Sequence, residues 1–155
     1  MIGWLLDTNV VAELFNPNGA KRVQAWAVSE PDRRMHISVL VFGEYRKGVH
    51  NLPDGHEGRN RIGAMMDVLE QRFAGRILPV SNQIVFEWGR ISGESKRLTG
   101  QSPPVVDTLL AATSIVHDLY LVTRNVRDVQ QSGAAIFNPW TDDAPQVKNR
   151  ASRRT

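Results

Sequence analysis

The chain has 155 residues, 41% apolar and 23% charged, the proportions of one ordinary globular domain. It contains no cysteine, which excludes disulfides, thiolate metal sites and cysteine nucleophiles. The formal charge of +3 misleads: four bases and no acid lie from Lys148 onward, leaving 15 bases against 16 acids before it, so a nucleic-acid partner must be argued from local patches.

The N-terminus lacks the basic and apolar regions of a signal peptide, and no apolar run reaches bilayer-spanning length. The chain reads as cytoplasmic, with no membrane role. Trp4, Leu5 and Leu6 form a short apolar run that stops at Asp7, Thr8 and Asn9, the pattern of a buried strand in a parallel sheet. Val10, Val11, Ala12, Leu14 and Phe15 are spaced for a short helix, ended by an Asn-Pro-Asn-Gly turn at 16–19. Asp7 therefore falls at the C-terminal end of a strand, where open α/β sheets bind ligands. It is explained equally well as the cap of the helix that follows. A helix is predicted over 21–29, a polar turn over 31–34 and a second strand over 35–37. Ser38 is placed to cap a helix over 39–49. Residues 51–58 read as a loop. Ile62, Met65, Met66, Leu69 and Phe73 predict a long helix over 59–73, the methionines filling core.

A third strand is predicted over 77–80. Ser81 caps a helix through Ile84, Val85, Trp88 and Ile91 that fades near Gly100. Residues 101–104 break the chain, with Pro104 placed as the first residue of an apolar, buried helix over 105–117. A fourth strand over 119–123, a short helical turn over 125–131 and a fifth strand over 135–137 follow. Asn138, Pro139 and Trp140 close the pattern. The expected domain is residues 1–141, with residues 142–155 a polar, basic and poorly ordered tail. Strands alternating with helices predict an α/β fold, a central parallel sheet of four to five strands flanked by helices on both faces.

Three further acids stand in apolar segments: Glu44 in VLVFGEYRKG, Asp107 in PPVVDTLLAAT and Asp128 in LVTRNVRDV. A carboxylate in an apolar setting is costly unless it is paired or binds a cation. Each acid alone is explained by a salt bridge to Arg46, Arg124 or Arg127, or by an exposed face. Together they are more informative. Asp7 and Asp128 follow strands, and Glu44 and Asp107 lie on helices that could line the same crevice. Converging carboxylates suit Mg2+ or Mn2+, and such a site can promote attack on a phosphodiester.

The motifs LLDTNVVAEL, SVLVFGEYRKG, PPVVDTLLAATSIVHDLYLVTRN and the closing IFNPW, in this order from Trp4 to Trp140, resemble PIN-domain ribonucleases. Within them the likeness is to the VapC and FitB-like toxins of bacterial type II toxin–antitoxin systems. The resemblance implies a PIN-like fold and Mg2+- or Mn2+-dependent RNA cleavage. It implies a homodimer inhibited by a small antitoxin, with DNA contacted only through that antitoxin. By motif, Asp7, Glu44 and Asp107 would form the acidic core and metal site, with Thr8 or Asn9 hydrogen-bonding nearby. Many family members carry an acid where this chain has Asn125. Here Asp128 stands three residues later, which leaves the number of metals open. Asn125 and Asp128 are expected to share one face of a helical turn, Asp128 acting through water. Thr8, Asn9, Arg46, Lys47, Arg124 and Arg127 are candidate RNA contacts.

His36, His50, His56 and His117 show no ligand spacing and read as structural or solvent-facing. No Gly-x-Ser-x-Gly elbow, P-loop or dinucleotide fingerprint occurs. Two other functions fit the residues: a phosphatase of the haloacid dehalogenase type, with Asp7 as nucleophile but Asn9 where a second Asp is usual, and a non-catalytic binding module with structural acids.

Overall fold

The computed structural model describes residues 3–145. The expected disorder of the tail falls mainly on residues 146–155, outside the described residues. Asp142 and Asp143 are tied back to the body: Asp142 Oδ2 accepts from the Asn138 N–H at 3.0 Å, and Arg22 reaches Asp143 at 2.6 Å.

Five strands, β1 (Trp4–Leu6), β2 (Met35–Ser38), β3 (Ile77–Leu78), β4 (Tyr120–Val122) and β5 (Ile136–Phe137), form one parallel sheet in the order β3-β2-β1-β4-β5. Side chains alternate across the sheet as strand geometry requires. Trp4, Leu6, Met35, Ile37, Val122 and Phe137 face one core. It is covered by α1 (Thr8–Phe15), α2 (Lys21–Ser29), α3 (Val39–Asn51) and α4 (Glu57–Arg72). Leu5, Leu121 and Ile136 face a second core under α5 (Asn82–Thr99), α6 (Val105–Val116) and α7 (Val126–Val129). Burial on both sides explains why β1 is apolar at every position rather than alternating. No described helix is long and apolar enough to cross a membrane.

Two helix starts depart from expectation at their caps, one a side chain and one a backbone carbonyl. Helix α4 begins at Glu57, two residues early, because His56 Nδ1 accepts from the Gly58 N–H at 3.0 Å. Pro104 is not the first helical residue. Its ψ of 136° is extended, and its carbonyl accepts from the Thr108 N–H and hydroxyl at 3.1 and 2.8 Å, making it the N-cap of α6.

The first core is centred on Trp4. Its ring meets Trp26 edge-on at 5.3 Å and lies 5.0 Å from Tyr120 and 5.4 Å from Phe137. Its indole N–H donates to Glu30 Oε2 at 2.9 Å. Aromatic contacts of this kind add to area burial, and the indole donor is satisfied inside the core. Trp4→Ala is expected to cost about 3–5 kcal/mol. Trp4→Phe keeps the ring contacts and loses only the indole hydrogen bond, with Glu30 still held by Arg34 at 3.2 Å, so its cost should be about 1 kcal/mol. Urea unfolding of the two variants checks the ranking.

Candidate functional site

Strand β1 lies beside β4 although α1 to α6 intervene in the chain, and the covering helices change face there: those following β1 cover one side, and α6, which leads into β4, covers the other. In doubly wound sheets the ligand crevice opens at such a switch point. Asp7 and Thr123 are the first residues past the paired ends Leu6 and Val122. The Asp7 N–H donates to the Val122 carbonyl at 3.0 Å, and the Asp7 carbonyl accepts from Val10 and Val11. Sheet and helix together fix its backbone.

The Asp7 carboxylate is held as firmly. Oδ1 accepts from the Thr8 N–H at 2.7 Å, and Oδ2 from the Thr123 hydroxyl at 2.6 Å and Asn9 Nδ2 at 2.9 Å. A carboxylate offers about four acceptor positions, so one on Oδ1 stays open to an outside ligand. Beside it the Thr8 hydroxyl is buried and unpartnered. Asp7 does cap α1, but that explains only one of its oxygens. Asp7 is 5% exposed. Burial pushes its pKa above the ordinary carboxylate range, Thr123, Thr8 and Asn9 pull it down, and the Glu44 charge pushes it up.

Asp107 is the third residue of α6 and half-buried. Its pKa is raised to about 6, first by burial, then by the charges of Asp7, Asp128 and Glu44, while a hydrogen bond from the Asn125 side chain lowers it. The helix N-terminus favours the charged form. The four acids therefore share one electrostatic field. Glu44, on α3, and Asp128, on α7, are exposed. Among the described residues none of the four forms an ion pair with Arg or Lys, so the salt bridges to Arg46, Arg124 or Arg127 are absent.

The expected metal set of Asp7, Glu44 and Asp107 is not a closed cage. Among the described residues no three acidic or histidine side chains stand close enough to hold an ion as they are placed. The donor chemistry still fits a hard divalent cation: oxygen ligands only, net negative, with an open lone pair on Asp7.

The other candidates divide. Asn9 is a brace rather than an outward contact, since Nδ2 holds Asp7 and Oδ1 accepts from the Arg124 N–H at 3.3 Å. Asn125 is the N-cap of α7 rather than a residue within it and, like Asp128, it acts on Asp107. Its N–H donates to the Thr123 hydroxyl at 3.0 Å and its side chain turns to Asp107. Arg46 and Lys47 are exposed on α3 beyond Glu44, and Arg127 is exposed on α7. The Arg124 guanidinium lies over the Trp140 ring, 4.9 Å from its centroid. Thr123 was legible only as the end of a strand. Its part in holding Asp7 follows from the pairing of β1 with β4, which local pattern does not reveal.

Residues 4–131 match the PIN domain family. The chain is 33% identical to Toxin FitB of Neisseria gonorrhoeae over 142 residues, 89% of this chain and 99% of that protein. It is 28% identical to VapC ribonuclease Y4jK of Sinorhizobium fredii over 140 residues, 88% of this chain and 96% of that one. It is similar to a chain in the solved structure of FitAB bound to an IR36 DNA fragment, with a TM-score of 0.79 and 30% identity over 91% of this chain and 98% of that chain.

With Asp107 at about 6 in the folded chain and about 3.9 when unfolded, the folded state holds the proton more tightly. The stability this confers is fully present below the unfolded value and is lost as pH rises through the folded one. Metal-free protein is expected to lose stability between about pH 4 and 7 from this group. Asp107→Asn should lack that part of the slope. Thermal melts in chelator check it, and equal slopes in both proteins would refute it.

Proposed function

Because the chain belongs to the PIN-domain family, among the VapC- and FitB-like toxins of toxin–antitoxin systems, we propose that it is a Mg2+- or Mn2+-dependent endoribonuclease, silenced by a cognate antitoxin. The observation that carries this reading is the shared field of the acids. Asp107 is pushed to about 6 with Asp7, Asp128 and Glu44 each contributing, and no described base pairs with them. A site built this way is unfavourable empty and favourable around a cation.

In this reading Asp7 and Asp107 hold the cation, and exposed Glu44 turns inward to complete the site. A bound divalent cation supplies positive charge to the phosphodiester and makes water a stronger nucleophile at neutral pH. Thr123 and Asn9 fix the Asp7 carboxylate so that its open lone pair needs no reorientation. Asn125 does the same for Asp107. Asp128 orients water from the margin of the site. Arg46, Lys47, Arg124 and Arg127 neutralise flanking phosphates.

The protein acts in the cytoplasm as a homodimer, and the apolar surface that supports pairing includes Phe86 on α5, 76% exposed. The antitoxin lays a helix or strand over the crevice and offers a basic side chain to the acids, and DNA is met only through it. The phosphatase reading loses its footing at Asn9, whose amide braces Asp7 where that chemistry wants a second acid.

Asp7→Asn is expected to abolish cleavage of RNA in Mg2+ and to weaken Mn2+ binding by calorimetry, with an unchanged circular dichroism spectrum. Asp128→Ala should lose about 10 to 100-fold in activity and keep metal binding. Full activity of Asp7→Asn would sink the assignment, and a wild type that cleaves no RNA would favour a binding module. Purified alone, the protein should run as a dimer in light scattering. A strict monomer would count against the pairing.

A further inference from the structure

The geometry points to a groove beside the acidic site that seats the nucleotide next to the scissile phosphate and reads its base. This rests on the ribonuclease reading above. The groove, about 650 Å3, lies between the end of α5 with its following loop and the corner from β4 through α7. That volume is within the range of about 300–1,000 Å3 typical of ligand sites. It adjoins the acidic site at α7: Asp128, one of the four acids, lines it together with Asn125, and Asp7, Glu44 and Asp107 lie outside its lining. A strand whose phosphate sits at the acids has this groove as its neighbour.

The lining selects a class of ligand. Four neutral amides (Gln101, Asn125, Gln130, Gln131) and hydroxyls line it with two guanidiniums, Arg124 and Arg127, one carboxylate, Asp128, and two prolines as the only apolar residues. Amides offer donor and acceptor together, which matches the edges of an unpaired nucleobase. An apolar peptide side chain or an acyl chain finds no counterpart there. The arginines meet the flanking phosphates. Arg124, laid over Trp140, offers a flat guanidinium of the kind on which bases stack.

The wall is also preset. Gly100 ends α5 in the left-handed region at φ 77°, where glycine is favoured. The Thr99 hydroxyl donates to the Ser95 carbonyl at 2.7 Å and accepts from the Gln101 N–H at 3.3 Å. Pro103 and Pro104 then fix φ at two successive residues. Gln101 is thus presented by a stiff turn, and little ordering is needed on binding.

The test uses the full chain with Mg2+ and a pool of short RNAs randomised around one cleavage window, with cut sites mapped. Wild type should cut with a base preference at one position flanking the broken bond. The double variant Gln101→Ala, Gln131→Ala changes two exposed side chains, and its melting curve is compared with that of wild type. It should flatten the preference by about tenfold, through loss of kcat/KM on the preferred sequence only. Arg127→Ala should weaken all sequences alike. Cutting with the preference unchanged in the double variant, or with no preference in wild type, overturns the groove and leaves the ribonuclease standing. If wild type cuts nothing, fluorescence anisotropy with 2′-O-methyl RNAs decides. Base-selective binding lost in the double variant keeps the groove and removes the ribonuclease, whereas base-blind or absent binding removes both.

Discussion

The structure depends on keeping one buried carboxylate satisfied. Asp7 sits where β1 ends and α1 begins, 5% exposed, and an unpaired charge there would cost several kcal/mol. Its three donors come from different places. Thr8 supplies the first N–H of α1, Asn9 an amide one residue further on, and Thr123 a hydroxyl 116 residues away. The last exists only because β4 pairs with β1, so the strand order of the sheet and the chemistry of the site are one constraint. A parallel sheet makes this possible, since all strands present their C-terminal ends at the same edge. The same Thr123 hydroxyl also receives the Asn125 N–H, which carries the constraint on to the support of Asp107.

The acids divide by burial. Asp7 and Asp107 are withdrawn from water and have raised pKa values, while Glu44 and Asp128 are exposed on α3 and α7. The inner pair is positioned by the fold, and the outer pair contributes charge without fixed partners. Under the proposed function this has a consequence for regulation. Any cation that enters the field relieves the same repulsion, whether it is a metal ion or a basic side chain of an antitoxin. The two would then compete through electrostatics common to both, and inhibition would need no conformational change in the toxin.

Local pattern carried much of the fold. The abrupt stop of Trp4–Leu6 at Asp7 marked both a strand end and the central acid. The apolar helix after Pro104 placed Asp107 near a helix start. Alternation of elements gave the parallel sheet and its two covered faces. What escaped was whatever depends on pairing between distant segments. Neither the adjacency of β1 and β4 nor the Thr123 contact has a local signature, and the exposure of Glu44 depends on how α3 settles on the sheet. The capping by His56 was missed for a different reason: histidine is an uncommon cap, so the loop composition of 51–58 outweighed it. Asp7 was ambiguous for good cause, because a cap and a ligand use the same side chain at the same strand end.

Asn125 joins these features. It stands between the acidic site and the adjoining groove, with its backbone on Thr123 and its side chain on Asp107. A carboxylate there would add a like charge next to a group already pushed to about 6 and would raise it further. The amide does the opposite, donating a hydrogen bond that stabilises Asp107 in its charged form. An Asn at this position therefore limits the negative charge gathered around Asp107 and keeps it nearer the ionised state that a cation ligand, as proposed, would need. The fourth negative charge is moved instead to Asp128, at the exposed margin, where water screens it. Replacing an acid by an amide in the centre and placing an acid at the rim keeps the field strong while lowering the cost of assembling it. Under the proposed function, that arrangement suits a protein that must remain folded with and without a cation.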